Sequence, residues 1–148
     1  MQFCGGSWAE LSAGRLAANA EAVAKAVAPA GVIAVVKADA YGHGLSECAK
    51  ILRGAGIRRF AVAYVAEGVE VRKAVPDAEL VFLLGRAGAG DVGSLRAWGI
   101  TPGVVSTEHA AELDAAARAD GGGPLGVHLK LDTGMGRLGF PVPAALDG

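Results

Sequence analysis

Apolar positions along this chain fall into short continuous runs separated by longer stretches of helical spacing. The run Gly31-Val32-Ile33-Ala34-Val35-Val36 is apolar at each alternate position, so both faces of an extended strand would be apolar there, as in a parallel sheet covered by helices. Further strands are predicted at 60–65, 80–84, 101–105 and 125–131. Ser12 is placed to cap a helix through Leu16, Ala20, Val23 and Val27, which Pro29 and Gly31 stop before the first strand. Gly42 and Gly44 flank a turn that opens a helix over Leu45, Cys48, Ala49, Leu52 and Ala55, with Gly54 and Gly56 at its end. Helices follow at 67–75, at 91–98 with Asp91 as cap and Gly99 as terminator, and at 108–119 behind Ser106 or Thr107. Gly121-Gly122-Gly123 is then a loop into the fifth strand.

Strands separated by single helices and short loops call for parallel βαβ units. Pattern alone leaves two architectures open, a doubly wound sheet and a closed barrel. The 148 residues suit one domain of ordinary size, and a hydrophobic fraction of 52%, largely alanine, supplies its core. A net charge of −1 and a pI near 6.3 argue against nucleic acid or an anionic membrane surface as partner. Cys4 and Cys48 show neither metal-ligand spacing nor a disulfide framework, so no metal and a reducing, cytoplasmic setting are expected. Met1 to Gly6 lacks a basic segment leading into an apolar one, and Glu21 and Lys25 interrupt the alanine-rich stretch from Leu16 to Ala30. Neither a signal peptide nor a membrane span is expected.

Lys37 directly follows the first strand, which leaves its amine at a sheet's carboxyl end, where α/β proteins bind ligands. Such a lysine is either a solvated cap or, when partly desolvated, a Schiff-base former. Tyr41, in the loop above, either packs under that loop or offers its hydroxyl to a ligand. On the fifth strand, alternation puts His128, Lys130 and Asp132 on one face and Val127, Leu129 and Leu131 on the other. The apolar face is expected under the helices. The polar stripe either points into a barrel interior, where ionisable residues are costly unless paired or functional, or is solvated on an edge strand. Arg137 follows in the glycine-rich turn Thr133-Gly134-Met135-Gly136, and His109, beside Glu108 and Glu112, reads as part of a solvated helix face.

Two segments carry a family resemblance. Val35-Val36-Lys37-Ala38-Asp39-Ala40-Tyr41-Gly42-His43-Gly44 resembles the cofactor-lysine segment of alanine racemases, and His128-Leu129-Lys130-Leu131-Asp132-Thr133-Gly134-Met135-Gly136-Arg137-Leu138-Gly139 resembles that family's second signature. The resemblance begins near Trp8-Ala9-Glu10 and covers nearly the whole chain. It implies the N-terminal part of a (β/α)8 TIM barrel, with about five βα units of a fold that needs about 250 residues, so the barrel is incomplete here. Residues 1–11 would form an N-terminal strand segment and 12–148 the partial barrel.

By the same resemblance the cofactor is pyridoxal 5'-phosphate and the reaction the interconversion of L- and D-alanine, supplying D-alanine for peptidoglycan. The full-length protein would be a homodimer. Lys37 would hold the cofactor and act as one of two catalytic bases. Tyr41 would contact its phosphate, and Arg137, also catalytic, would donate to its phenolic oxygen. Lys130 would be a carbamyl-lysine holding Arg137, since the unmodified amine would repel it; His43 would position the loop. The opposite-face base, a tyrosine of the partner subunit's C-terminal domain, and the arginine at the pyridine nitrogen match no position here, so the chain is expected to be inactive alone. A broad-spectrum amino-acid racemase, a non-catalytic pyridoxal-phosphate homeostasis barrel and an inert fragment are the alternatives.

Overall fold

The structure is a computed structural model that describes residues 9–142. Serine side chains cap the starts of two helices. The Arg15 N–H donates to Ser12 Oγ at 3.4 Å and opens α1 (Ala13–Ala26). The His109 N–H donates to Ser106 Oγ at 3.1 Å, so Ser106 rather than Thr107 caps α6 (Thr107–Ala119). Between them lie a short helical segment α2 (Lys37–Gly42), then α3 (Leu45–Gly54), α4 (Val65–Ala74) and α5 (Val92–Trp98), the last ended by Gly99 in the left-handed region. Strands β1 (Ile33–Val35), β2 (Arg59–Val62), β3 (Leu80–Leu83), β4 (Ile100–Val104) and β5 (His128–Leu129) form one parallel sheet in that spatial order.

A strictly sequential order has no point where the winding reverses, so it lacks the switch crevice of a doubly wound sheet. With right-handed crossovers it keeps the helices on one face, as a barrel does. Register and burial agree. Ala34, Phe60, Val81 and Ile100 lie in line across four strands, and the last three are buried, as are Val62, Leu83 and Pro102 one row on. Each such large apolar side chain contributes about 1.5–3 kcal/mol by leaving water. The other face carries Val35, Ala61, Phe82 and Thr101.

That second face corrects the expectation that β1 is buried on both sides. Ile33 and Val35 remain 44% and 41% exposed. Five strands do not close a barrel, and the face that would look into its interior is left open.

The stretch Gly88-Ala89-Gly90-Asp91-Val92-Gly93, between β3 and α5, has the GxGxxG spacing of a nucleotide-phosphate turn, a feature that would favour the doubly wound rival. Its amides face carboxylates instead: the Gly88 N–H donates to Asp91 Oδ2 at 2.8 Å and the Ala89 N–H to Glu112 Oε1 at 3.1 Å. An anion would meet negative charge there. Asp91 thus closes the turn Ala89–Asp91 and makes no side-chain cap to α5, contrary to expectation.

The fifth strand also departs from its predicted form. It breaks after Leu129, and Leu131–Asp132 (β6) pairs with Phe140–Pro141 (β7) in a separate small sheet. Val127, Leu129 and Leu131 are exposed rather than covered, because no helix of the described chain lies beyond α6 to cover them. Of the strand segment expected over residues 1–11, residues 1–8 lie outside the described residues, and 9–11 have no regular structure.

Candidate active site at the carboxyl edge of the sheet

β1 delivers Lys37 to the carboxyl end of the sheet, half-buried, immediately after the fully buried Val36. The backbone then does something that no propensity predicts. Ala38, Asp39, Ala40 and Tyr41 all take left-handed helical angles, with φ between 51° and 57°. Each such non-glycine residue costs about 1–2 kcal/mol, so the turn needs outside support. Tyr41 is therefore part of a left-handed helical turn rather than of a simple loop, and it is 60% exposed.

The support comes from polar side chains. Glu67 Oε1 accepts from the Ala38 N–H at 2.7 Å, while its Oε2 accepts from the N–H groups of Ala63 at 2.7 Å and Tyr64 at 3.1 Å. Asp39 Oδ1 accepts from the Leu45 N–H at 2.7 Å, tying the turn to the start of α3. The His43 ring Nδ1 lies 2.9 Å from the Ala40 carbonyl oxygen. Cys48 is buried beneath, where desolvation, with Asp39 and Glu47 adding to it, pushes its thiol pKa up.

The second group of candidate residues sits at the other edge of the sheet. The His128 ring packs on the Phe82 ring with centroids 4.8 Å apart, on the same face as Val35 and Ala61. Lys130 joins the two sheets: its N–H donates to the Val104 carbonyl at 2.9 Å and its carbonyl accepts from the Phe140 N–H at 2.8 Å. Asp132 Oδ1 accepts from the N–H groups of Gly134 and Gly136, each at 3.0 Å, and shapes the turn that presents Arg137. Those amides hold the Asp132 carboxyl below the usual carboxylate range, with a smaller pull from Lys130. Arg137 is exposed.

Lys37 and Tyr41 thus lie at one edge and Lys130 and Arg137 at the other, four strand spacings or about 19 Å apart along the sheet. In an eight-stranded barrel those two edges face each other across the mouth. At this end Glu67, Asp39, Asp91 and Asp132 are occupied by backbone amides as described, Glu112 by the Ala89 N–H and Arg86, and Glu47, in the first turn of α3, pairs with Lys50. Among the described residues, Lys37, Lys130 and Arg137 form no ion pair. The donor set left over is cationic and phenolic. Amines, a guanidinium and a phenol suit an anionic ligand, and Lys37 suits one with a carbonyl group open to an amine.

His109 is a correction. It is 1% exposed, with Nε2 2.8 Å from the Ala87 carbonyl oxygen, and so fastens the loop after β3 from within rather than lying on a solvated face. Glu67 is the residue that sequence reasoning missed. Its place three residues after Tyr64, at the head of α4, signals a helix-start carboxylate, but nothing local signals its bond to Ala38, 29 residues away.

Comparison with known proteins bears on the whole chain. The family model described as the N-terminal domain of alanine racemase matches residues 11–147. Alanine racemase 1 of Clostridium acetobutylicum is 38% identical over 133 residues, which are 90% of this chain and 34% of that protein. The Geobacter sulfurreducens alanine racemase is 42% identical over 116 residues, 75% of this chain and 28% of the relative. Among solved structures, alanine racemase from E. faecalis superimposes with a TM-score of 0.77 at 34% identity, covering 88% of this chain and 35% of that one. The Bartonella henselae enzyme, solved with covalently bound pyridoxal phosphate, gives 0.79 at 29% identity over 87% of this chain and 37% of its own. The chain spans about a third of the length of these relatives.

Proposed function

Since the chain belongs to the alanine racemase N-terminal domain family, we propose that it forms the cofactor-lysine part of a pyridoxal-phosphate-dependent racemase that interconverts L- and D-alanine. The observation that carries this reading is the charge inventory at the carboxyl end of the sheet. The carboxylates described there are bound to backbone amides or arginine, or in the case of Glu47 to Lys50, while Lys37, Lys130 and Arg137 form no ion pair among the described residues and are left for an anionic partner. When bound, pyridoxal phosphate withdraws electrons from an amino acid's Cα and makes the proton there removable.

In this proposal Lys37 holds the cofactor through its Nζ and, once released by the incoming amino acid, serves one face of Cα: it removes the proton there in one direction of the reaction and delivers one there in the other, the opposite face being served by a second carrier. Tyr41 donates its hydroxyl hydrogen to the phosphate. Arg137 donates to the phenolic oxygen, a charge-assisted contact that orients the ring. Lys130, carried as a carbamate, is an anion able to hold the Arg137 guanidinium in place. The proton carrier for the opposite face comes from outside this chain, in a homodimer of the complete protein. The product D-alanine feeds cytoplasmic peptidoglycan synthesis.

Borohydride reduction of the protein after incubation with pyridoxal phosphate, followed by peptide mapping, tests the assignment. The pyridoxyl group is expected on Lys37 and is expected to be lost in Lys37→Ala. Label on Lys50 or Lys73 with Lys37 unmodified refutes it.

A further inference from the structure

We propose that Glu67 is the positioning residue of Lys37. The inference rests on the role of Lys37 given above, and its starting point is a single carboxylate with three backbone donors on it. One oxygen accepts from the Ala38 N–H, on the peptide that directly follows Lys37. The other accepts from Ala63 and Tyr64, in the turn between β2 and α4. Glu67 therefore bridges the ends of two adjacent strands, fixing the peptide that sets where the Lys37 side chain leaves the backbone.

The need for such a bridge is visible in the turn. Ala38 is the first of four residues in the left-handed region, and no glycine is among them. The remaining hydrogen bonds of the turn are local: Asp39 Oδ1 accepts from the Leu45 N–H, the Gly44 N–H reaches the Asp39 carbonyl, the Ala40 N–H reaches the Val36 carbonyl, and the His43 N–H and ring Nδ1 lie on the Ala40 carbonyl. Glu67 supplies the long-range one, placed where the chain switches from β1 to the left-handed turn. A lysine that must first hold a cofactor and then present its amine to a substrate atom gains from a fixed root, because small misplacements of a reacting group are costly in rate.

The chemistry of the bridge offers a selective probe. A carboxylate can accept on both oxygens, whereas the isosteric amide of Glu67→Gln has one accepting oxygen and one donating nitrogen. With its oxygen kept on Ala63 and Tyr64, that amide turns its N–H2 toward the Ala38 N–H, donor against donor. The start of α4 survives and the Lys37 turn loses its tether. Glu70→Gln is the control. It removes the same charge one helical turn along α4, where Glu70 accepts from the exposed Ser46 hydroxyl at 2.8 Å.

Two measurements on the protein decide the matter. The first is the rate at which pyridoxal phosphate becomes borohydride-trappable on Lys37. The second is amide hydrogen exchange across residues 38–44 without cofactor. In Glu67→Gln, trapping is expected to slow at least ten-fold and exchange at 38–41 to rise at least ten-fold, with β3 and α5 unchanged. Glu70→Gln is expected to match the unmodified protein in both. Should Glu67→Gln not fold, Glu67→Asp, too short to span both turns, carries the same expectations. Trapping at the unmodified rate overturns the proposal, as does unchanged exchange at 38–44 or an increase spread evenly over the sheet. If the unmodified protein never attaches the cofactor to Lys37, the functional reading fails by itself, together with the role of Glu67 toward it; exchange then still decides whether Glu67 tethers the turn.

Discussion

The Asp132 carboxylate shows how one side chain shapes a site without touching a ligand. Its hydrogen bonds from the Gly136 and Gly134 amides exist only in the folded turn, and they lower its pKa against the opposing effect of desolvation. A carboxyl lowered on folding adds stability above its unfolded value, about 3.9 for aspartate, and that contribution is lost as pH falls through the lowered folded value. The turn presenting Arg137 is thus expected to be intact from neutral pH down to about pH 4 and to loosen below it. A carbon-13 titration of the Asp132 carboxyl should give a midpoint below the ordinary aspartate value; a midpoint at or above it contradicts the geometry. At this scale the sequence was legible where chemistry is local. The place of Lys37 directly after an apolar run is legible in this way, whereas Arg137 is singled out only by the family resemblance. Glu67 is not legible, because its bond to Ala38 joins residues 29 positions apart. His109 misleads for a related reason: Glu108 and Glu112 suggest water, and only the fold brings the Ala87 carbonyl onto its ring.

Helices and the first four strands could be read because caps, glycines and apolar spacing act within a few residues. The left-handed turn at 38–41 could not, since Ala-Asp-Ala-Tyr has no intrinsic preference for positive φ and tertiary bonds impose it. The fifth strand fails differently. Its alternation of polar and apolar residues runs unbroken from Val127 to Asp132, while the pairing changes partner at Lys130, from Val104 to Phe140. Gly139 shows what that change requires. It sits at φ 128°, and a Cβ there would lie 2.8 Å from the Asp132 nitrogen and 3.0 Å from the Lys130 carbonyl oxygen, all rigid backbone. Gly139→Ala is expected to part β6 from β7 at a cost above about 1 kcal/mol. Trypsin should then cut after Arg137 several-fold faster, with the melting of the β2–β3 core little changed. Equal cutting rates would show that the close approach carries no strain.

For the whole molecule the sheet's ends matter as much as its centre. Among the described residues β1 and β5 are both edge strands, and each presents backbone groups without a strand partner beside apolar side chains: Ile33 and Val35 at one end, Val127 and Leu129 at the other. Behind β5 lies a groove of about 600 Å³ against α6, lined by Leu113, Ala117, Leu125 and Val127. Open edges flanked by apolar surface are templates for association. A chain expressed as residues 1–148 alone is therefore expected to self-associate at micromolar concentration, measurable by sedimentation velocity; a monodisperse monomer would count against the exposed edges described here. The same openness bears on catalysis. The edges that carry Lys37 and Arg137 are held at fixed separation only if intervening curvature is enforced by a closed barrel, and an open site admits water that weakens each charged contact within it. With the opposite face of the substrate also unserved, such a chain saturated with pyridoxal phosphate is expected to bind cofactor at Lys37 yet show no appreciable racemisation of alanine by chiral chromatography. Sustained turnover would require a second proton carrier among these 148 residues, and would redirect attention to His128, the one imidazole on the open face of the sheet.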